Sequence, residues 1–454
     1  MKKIILMMVG AALLSGCRIY SSYERPEELP LDSLYREPLA TATDTTSLGD
    51  ISWREMFSDG HLQELIEYGL GNNRDMLVAM LRVDQAKAQL KAAKLAFLPS
   101  LTFSPNGALN STDGGKAVKT YELPVEASWE VDLFGNLRNA KKETQAELLQ
   151  QAYVQVVRSE LIASIANGYY TLLMLDEQID VSSATLNLWE EQVRTIASKL
   201  KVGEETENAL TQAKASLYEL QASHNDLLRQ EREAENSLCT LLGMTSRDIE
   251  RVKLDEQVFT QKINAGVPLR LLSKRPDVVQ AEMELAGAYY STNQAHSAFY
   301  PSLTLSGSAG WTNSLGQAVS NPGGWILSAL ASLSQPIFNR GKLVSNLRVS
   351  QDEEKIALLN YKQAILDAGQ EVNDALYAVE SVEKTLENHA KQCGELQRTV
   401  DTAEALYKTG NATYLEVLSA QQSLLNAKLN VITDTFTKCQ SMVNLYTALG
   451  GGCE

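Results

Sequence analysis

The sequence predicts a mainly α-helical protein that also carries membrane-crossing β-strands, built as two tandem copies of one unit. Three observations predict this class. The stretches 125–267 and 337–454 contain no proline, which leaves them free to form long helices. Segments between the helices alternate apolar and polar residues with the period of a strand. The motif AFLPSLTFS at 96–104 returns as AFYPSLTLS at 298–306.

The composition excludes several functions. The 454 residues include 41 Lys and Arg against 56 Asp and Glu, which gives a net charge of −15. Such an acidic chain is a poor partner for nucleic acid or for an anionic membrane surface. No metal site or cofactor is expected, because the four histidines are scattered singly: His61, His224, His296 and His389. Cys239, Cys393, Cys439 and Cys453 show no disulfide framework spacing and are predicted to be buried thiols.

The N-terminus predicts export from the cytoplasm. Two lysines precede an apolar run at 4–14, which is too short to span a bilayer, so 1–16 is predicted to be a signal peptide. The sequence Leu14-Ser15-Gly16-Cys17 resembles the lipobox of bacterial lipoproteins, which implies cleavage before Cys17 and acylation of that residue. The alternative is a plain signal peptide with an incidental cysteine. Residues 17–59 are then expected to form an extended, lipidated arm.

A tandem duplication accounts for three matches in the same order. Besides the nine-residue motif, Lys201-Val202-Gly203 corresponds to Lys408-Thr409-Gly410, and Leu242-Gly243 corresponds to Leu449-Gly450. We therefore predict a first repeat at 60–245 and a second at 270–450. A linker at 246–269 joins them, and 451–454 form a C-terminal tail.

Each repeat is predicted to contain one long helix flanked by shorter ones. Apolar residues recur at steps of three and four, as in coiled-coil packing. At about 1.5 Å per residue, the two long helices would each extend roughly 100 Å. The predicted helices cover 61–97, 137–201, 206–242, 276–299, 345–408 and 413–449.

Four strands are predicted between these helices. Within 121–133 every odd position is apolar and the even positions include four carboxylates, whereas 100–111 and 324–338 alternate less cleanly; the fourth strand contains 303–312. Each is long enough to cross a bilayer when tilted, and no later segment offers the 18 consecutive apolar residues of a membrane-spanning helix. Trp129, Trp311 and Trp325 would then form an aromatic girdle. The alternative is a soluble sheet with one hydrated face, but the predicted helices already pack on one another.

Four strands cannot close a barrel, and open sheet edges are not tolerated in hydrocarbon. Two chains would supply eight strands, a number whose barrel is filled by its own side chains. Three chains would supply twelve, which leaves room for an aqueous lumen. The hypothesis is a homotrimer that shares one 12-stranded β-barrel, continued by a long α-helical coiled-coil barrel.

The chain resembles the TolC-type outer membrane efflux family, in its lipoprotein branch. The resemblance implies a trimeric channel-tunnel with its β-barrel in the outer membrane and its helical barrel in the periplasm. There it would passively conduct substrates from an inner-membrane pump, of RND type, through a periplasmic adaptor. The motifs that carry it are the lipobox, Pro99-Ser100-Leu101, Pro301-Ser302-Leu303, Trp129-Glu130-Val131-Asp132-Leu133-Phe134-Gly135, Arg275-Pro276-Asp277, and Tyr407-Lys408-Thr409-Gly410 with Tyr414-Leu415-Glu416-Val417-Leu418.

Gly203 and Gly410 interrupt the helical pattern at equivalent places and are predicted to form the turns at the periplasmic tip. In the family this tip is a closed iris ringed by acidic residues, and the matching positions here are Glu416 and Ser419. A ring of three Glu416 carboxylates would favour cations, while Ser419 departs from the acidic pattern.

Tyr407 matches a tyrosine that latches the iris in some relatives. Its first-repeat partner position is Ala209, so that latch is expected to be absent. Glu416 also fits a capping box with Thr413, which is compatible with a gate. Glu204, Glu205 and Glu207 are expected to form a solvated helix start.

Other classes of function are weaker. No nucleophile elbow, P-loop, dinucleotide fingerprint or zincin motif occurs, so the chain is not expected to be an enzyme. A lipid-anchored coiled-coil scaffold without a pore would need no alternating strands. The outer membrane duct of a type I protein secretion system remains a further alternative.

Overall fold

The computed structural model describes residues 20–26, 51–111, 117–149, 152–257, 259, 275–315 and 318–453. The predicted signal peptide and Cys17 lie outside these residues. The chain divides into two compact units. The strand unit draws on Met1–Leu29, Leu81–Gln151 and Val279–Gln363, and the helical unit draws on Pro30–Met80, Ala152–Val278 and Ala364–Glu454. Each unit therefore takes residues from both halves of the chain.

Helices occupy all six regions in which the sequence predicts them. The longest, α8, has 67 residues, so it extends about 100 Å. None of the described helices is both long enough and apolar enough to cross a membrane. In chain order the helices are α1 Trp53–Met56, α2 Gly60–Asn72, α3 Arg74–Leu95, α4 Asn136–Leu149, α5 Ala152–Lys201, α6 Glu207–Leu242, α7 Pro276–Ser297, α8 Lys342–Lys408 and α9 Tyr414–Ala448.

The prediction of one continuous helix over 61–97 is wrong, because Asn73 ends one helix and begins another. Its side-chain oxygen accepts hydrogen bonds from the backbone N–H groups of Asp75, at 2.8 Å, and Met76, at 2.9 Å. Its amide donates to the carbonyl oxygen of Leu241 at 2.8 Å. Asparagine is a favoured helix N-cap, and the bond to α6 holds this cap in place.

The strands form one antiparallel sheet. They are β1 Ser100–Phe103, β2 Asn106–Asn110, β3 Val118–Val131, β4 Ser302–Leu315 and β5 Ala318–Ser334. Both β1 and β2 pair with β3, followed by β4 and then β5.

The sheet therefore has four positions, as predicted, although two strand boundaries differ. The first position is interrupted between Phe103 and Asn106, where Pro105 offers no N–H to the ladder. The last strand begins at Ala318 and ends at Ser334 rather than covering 324–338. The sequence Asn321-Pro322-Gly323-Gly324 obscures the alternation of this strand. Opposite this stretch, the pairing register of β4 with β5 shifts between Thr312 and Ser314.

The register gives the sheet two chemically different faces. Residues at odd numbers in β3, β4 and β5 lie opposite one another, and we call their side the apolar face. Its exposed members include Leu123, Val125, Trp129, Leu305, Trp325, Leu327 and Leu333. The polar face carries Glu122, Glu126 and Glu130 on β3 and a run of Ser and Thr on β4. On β5, Ile326 and Leu330 also lie on this second face, so the polarity is cleanest on β3 and β4.

The core of the helical unit lies where α5, α6 and α9 pack together. Ile162, Tyr169 and Leu172 from α5 are fully buried there, beside Leu242 from α6 and Val443 from α9. A second cluster lies nearer the helix ends and contains Trp189, Ile196, Leu210, Leu217 and Leu418. No disulfide joins the four described cysteines, and Cys239 and Cys439 are buried.

Candidate functional site

Two helical hairpins end in the same kind of glycine turn. Gly203 follows α5 with φ 79° and Gly410 follows α8 with φ 73°. This is a left-handed backbone conformation that residues other than glycine rarely adopt. In each turn a backbone N–H donates a hydrogen bond to the carbonyl oxygen five residues earlier. Glu204 donates to Lys199 at 3.0 Å, and Asn411 donates to Leu406 at 2.9 Å. These are the hydrogen bonds of a Schellman helix end. The chain thus reverses sharply at both predicted tip positions.

The Tyr407 hydroxyl links the two hairpins. It donates a hydrogen bond to the carboxylate of Glu205, in the turn that follows α5. The Lys199 ammonium donates to the same hydroxyl at 3.3 Å and lies 4.4 Å from the centre of the Tyr407 ring. Burial, together with the bond to Glu205, raises the pKa of Tyr407 above its usual value. The phenol therefore stays protonated, and able to donate, throughout the neutral pH range.

Tyr407 has an acidic partner, although not at the position that the resemblance pointed to. Ala209 occupies that position; it is buried and lies in the first turn of α6, where its N–H donates to the Thr206 hydroxyl at 3.1 Å. The acid comes instead from Glu205, one turn earlier. Glu205 is only partly exposed, so the view of it as part of a solvated helix start is also wrong.

A second tyrosine strengthens this junction. The Tyr414 hydroxyl donates to the side-chain oxygen of Gln192 on α5 at 3.1 Å. Its ring meets that of Tyr407 edge to face, with centroids 6.0 Å apart. Burial raises the pKa of Tyr414 to about 12. We call Lys199, Glu205, Tyr407 and Tyr414 the tip cluster.

Glu416 and Ser419 lie one turn apart at the start of α9, and both are exposed in the single chain. The Glu416 carboxylate accepts a hydrogen bond from the backbone N–H of Thr413 at 3.2 Å. This contact is one half of the predicted capping box. The cap accounts for one carboxylate oxygen, and the exposed side chain remains available to a neighbouring surface.

The three predicted girdle tryptophans lie on the apolar face at two levels. Trp311 is directly opposite Trp325, with ring centroids 5.7 Å apart, and Trp129 is opposite Leu305. Leu305 and Trp311 share one strand, so at about 3.3 Å per residue the two levels are roughly 20 Å apart. The Trp129 indole donates to the carbonyl oxygen of Phe97 at 2.9 Å.

The described part of the N-terminal arm lies along α7. Arg25 forms an ion pair with Glu282, and the hydroxyls of Ser21 and Tyr289 are 2.6 Å apart. Lipid attachment at Cys17 falls outside the described residues and stays a prediction.

Among the described residues, no group of three His, Cys, Asp or Glu side chains is placed to hold a metal ion.

Comparison with known proteins identifies the family. The family model for outer membrane efflux proteins matches residues 65–244 and 267–451. The chain belongs to the outer membrane efflux protein family.

Relatives of this chain cover almost its whole length. The cation efflux system protein CusC of Escherichia coli strain K12 is 29% identical over 99% of both chains. The probable outer membrane lipoprotein SilC of Salmonella typhimurium is 28% identical over 97% of this chain and 96% of its own. The open-state crystal structure of the Neisseria gonorrhoeae MtrE outer membrane channel superimposes with a TM-score of 0.85. Its sequence is 25% identical, and the match covers 96% of this chain and 99% of that one.

These likenesses fix the class and the location of the protein. It is an efflux channel component of the bacterial outer membrane. Its family is a transport family, and its relatives are channel proteins.

Sequence reasoning missed Glu205 and Lys199 as members of the tip cluster. Both flank Gly203 closely, and a hairpin turn places residues just before and just after it side by side. That proximity was the available signal, whereas the family resemblance pointed to position 209, which is an alanine.

Replacing Gly410 by alanine should destabilise the tip, because an L-residue at φ 73° is strained although no atom lies within 4 Å of the new methyl group. We expect a loss of about 1 kcal/mol, measured by thermal unfolding together with hydrogen exchange of the turn. Gly394→Ala is the matched control, since Gly394 lies inside α8, also with open space around it. It should stabilise by about 1 kcal/mol. Equal effects of the two substitutions would contradict the assigned turn.

Proposed function

We propose that three copies of this chain close one 12-stranded β-barrel in the outer membrane, each supplying four positions of the sheet, and that long helices continue it as a periplasmic conduit. This trimer would be the exit duct of a tripartite pump, receiving substrates from a periplasmic adaptor and an inner-membrane transporter of RND type. Acylation of Cys17 would anchor each chain. The duct is passive, with no catalytic step, and its substrates are selected by the pump.

The observation that carries this proposal is the sheet itself. Its apolar face exposes large side chains, with Trp325 78% exposed and Leu327 84% exposed. An exposed face of this kind is stable only against lipid or another protein. The opposite face of β3 bears three carboxylates, which suit a water-filled lumen.

The sheet edges support a shared barrel. In the described residues, β5 has no partner beyond β4, and neither β1 nor β2 pairs with a strand other than β3. Backbone groups at such edges would be unsatisfied in hydrocarbon. A copy of the same sheet offers a free strand at each edge, so repetition around an axis would pair β5 of one copy with β1 and β2 of the next. A pore-less scaffold would leave both the apolar face and these edges without a role.

Leu327 and its neighbour Ser328 test the orientation of the sheet. Leu327 lies between the two tryptophan levels on the apolar face, and Ser328 points to the opposite face, with its hydroxyl 2.7 Å from that of Ser308. Leu327→Arg should cost about 2–4 kcal/mol in a bilayer, since the charge would face lipid. Ser328→Arg should be tolerated in a lumen. The fraction of heat-modifiable oligomer in membrane extracts measures both effects, and a greater loss for Ser328→Arg would reverse the orientation.

We further propose that the tip cluster is the latch of a periplasmic gate and that Glu416 contributes to its aperture. The hydrogen bond from Tyr407 to Glu205 ties α8 to the opposite hairpin, so rotation of either hairpin must break it. Such a bond to a carboxylate contributes about 1.5–3 kcal/mol, enough to bias a two-state opening. Gly203 and Gly410 would form the tip turns, and Ser419 would line the aperture one turn beyond Glu416.

Tyr407→Phe should raise the open-to-closed ratio of single channels in planar bilayers by about tenfold or more, because the phenylalanine ring fills the same space without the donated hydrogen bond. Tyr218→Phe is the control, since Tyr218 is 64% exposed on α6. Similar gating for wild type and Tyr407→Phe would show that this contact does not hold the gate.

Glu416→Gln should reduce the preference for cations, measured as the reversal potential across a KCl gradient, since three carboxylates would leave the aperture. Glutamine also serves a capping box, so helix stability should be preserved and any change in selectivity should report charge alone. Glu207→Gln, at another exposed helix start, should leave selectivity unchanged. An unaltered reversal potential for Glu416→Gln would remove this residue from the aperture.

A further inference from the structure

One cavity in the strand unit is lined by basic side chains, although the chain as a whole is acidic. It has a volume of about 650 Å³ and lies between the N-terminal segment at 20–22, the end of α3 and the beginning of α4. Four basic side chains line it, Lys94, Arg138, Lys141 and Lys142, and no acidic side chain does. Over the whole chain acidic residues outnumber basic ones by 56 to 41. The lining of the cavity is therefore locally basic in an acidic chain.

Part of this positive charge is uncompensated. Arg138 is paired with Asp132 at 3.0 Å, and the Lys142 ammonium lies 5.0 Å from the centre of the Tyr290 ring. Lys94 and Lys141 form no ion pair within the part of the chain that the structure describes. Two lysines without an ion pair and one whose ammonium lies over an aromatic ring thus line the same space.

The wall of the same cavity contains a buried donor without a partner. Asn139 is 5% exposed, and its side-chain nitrogen has no hydrogen-bond acceptor in the described structure. Leaving such a donor unsatisfied costs about 1–3 kcal/mol, so an acceptor supplied by a ligand would recover that cost. Gly135 keeps the approach open, because a Cβ atom there would come 3.5 Å from the Asn139 nitrogen and 3.7 Å from the Tyr20 ring.

The cavity also adjoins one level of the tryptophans. Phe97 contributes to its wall, and the carbonyl oxygen of Phe97 accepts the hydrogen bond from the Trp129 indole. Tryptophans on lipid-facing strands mark the depth of the lipid headgroups. Headgroup phosphates are the anions that a membrane presents at this depth. The aromatic rings of Tyr20, Phe97 and Phe134 offer apolar surface beside the cations.

We propose that this cavity binds the phosphate of a glycerophospholipid headgroup, with Lys94 and Lys141 supplying charge and Asn139 donating a hydrogen bond to a phosphate oxygen. The proposal rests on the membrane position of the sheet proposed above. Because the cavity wall includes the residues that follow the predicted lipid anchor, a bound headgroup would fix the arm and the sheet at one depth in the membrane.

Native mass spectrometry of the delipidated full chain, titrated with phosphatidylglycerol, tests this site. Lys94→Gln combined with Lys141→Gln should weaken lipid binding by about tenfold or more. The matched control, Lys214→Gln with Lys428→Gln, removes the same charge from exposed lysines of the helical unit and should bind like the wild type. Asn139→Leu should also weaken binding while leaving thermal stability equal or higher, since it removes an unsatisfied buried amide.

Two further arms separate the possible sources of phosphate. Diacylglycerol, which lacks the phosphate, should not occupy the site, and excess inorganic phosphate should not displace the lipid. Displacement by inorganic phosphate would assign the cavity to a free anion and overturn the lipid proposal. Equal lipid binding by wild type, the paired lysine variant and the Asn139 variant would overturn the site itself.

Channel conductance distinguishes this failure from failure of the proposed function. The paired lysine variant should conduct like the wild type in bilayers of zwitterionic lipid, because neither lysine belongs to the tip cluster or the predicted lumen. A wild-type chain that binds lipid but forms no channel would refute the proposed duct and leave the lipid site standing.

Discussion

The unpaired backbone groups at the two outer edges of the sheet are the constraint on which the rest of this structure depends. Within the described residues, β5 on one side and β1 with β2 on the other end the ladder. Water can satisfy such edges, whereas hydrocarbon cannot. The proposed closure of the sheet by further copies would satisfy both edges while leaving the apolar face against lipid.

At the tip cluster, a few contacts likewise determine how the helical hairpins are arranged. Two glycine turns let the hairpins reverse without strain, and Tyr407 joins one hairpin to Glu205 of the other. In the proposed gate, this bond between a neutral phenol and a carboxylate would hold the closed state and would break when a partner rotates the helices. The basic cavity around Asn139 adds a third region, where the chain would recognise the chemistry of its own membrane.

Sequence patterns predicted most of the fold because its elements are long and strictly periodic. The period of two in β3 and the absence of proline from the long helical stretches leave little ambiguity, and the repeated Pro-Ser-Leu motif marked both strand openings. The errors occurred where one side chain overrides a pattern. Asn73 ends a helix through a contact with Leu241, distant in sequence, and Pro105 interrupts a strand. Glu205 was missed because it was assigned to a solvated helix start, whereas the turn at Gly203 brings its carboxylate to the Tyr407 hydroxyl. Asn139 carries no sequence signal, since only burial shows that its amide lacks a partner.

The most direct test of the account is the number of chains in the assembled protein. Native mass spectrometry of the complex extracted from outer membranes should give a mass close to three mature chains, and dissociation should release a single kind of subunit. A folded single chain that is stable in lipid, with its sheet edges exposed to hydrocarbon, would contradict the account.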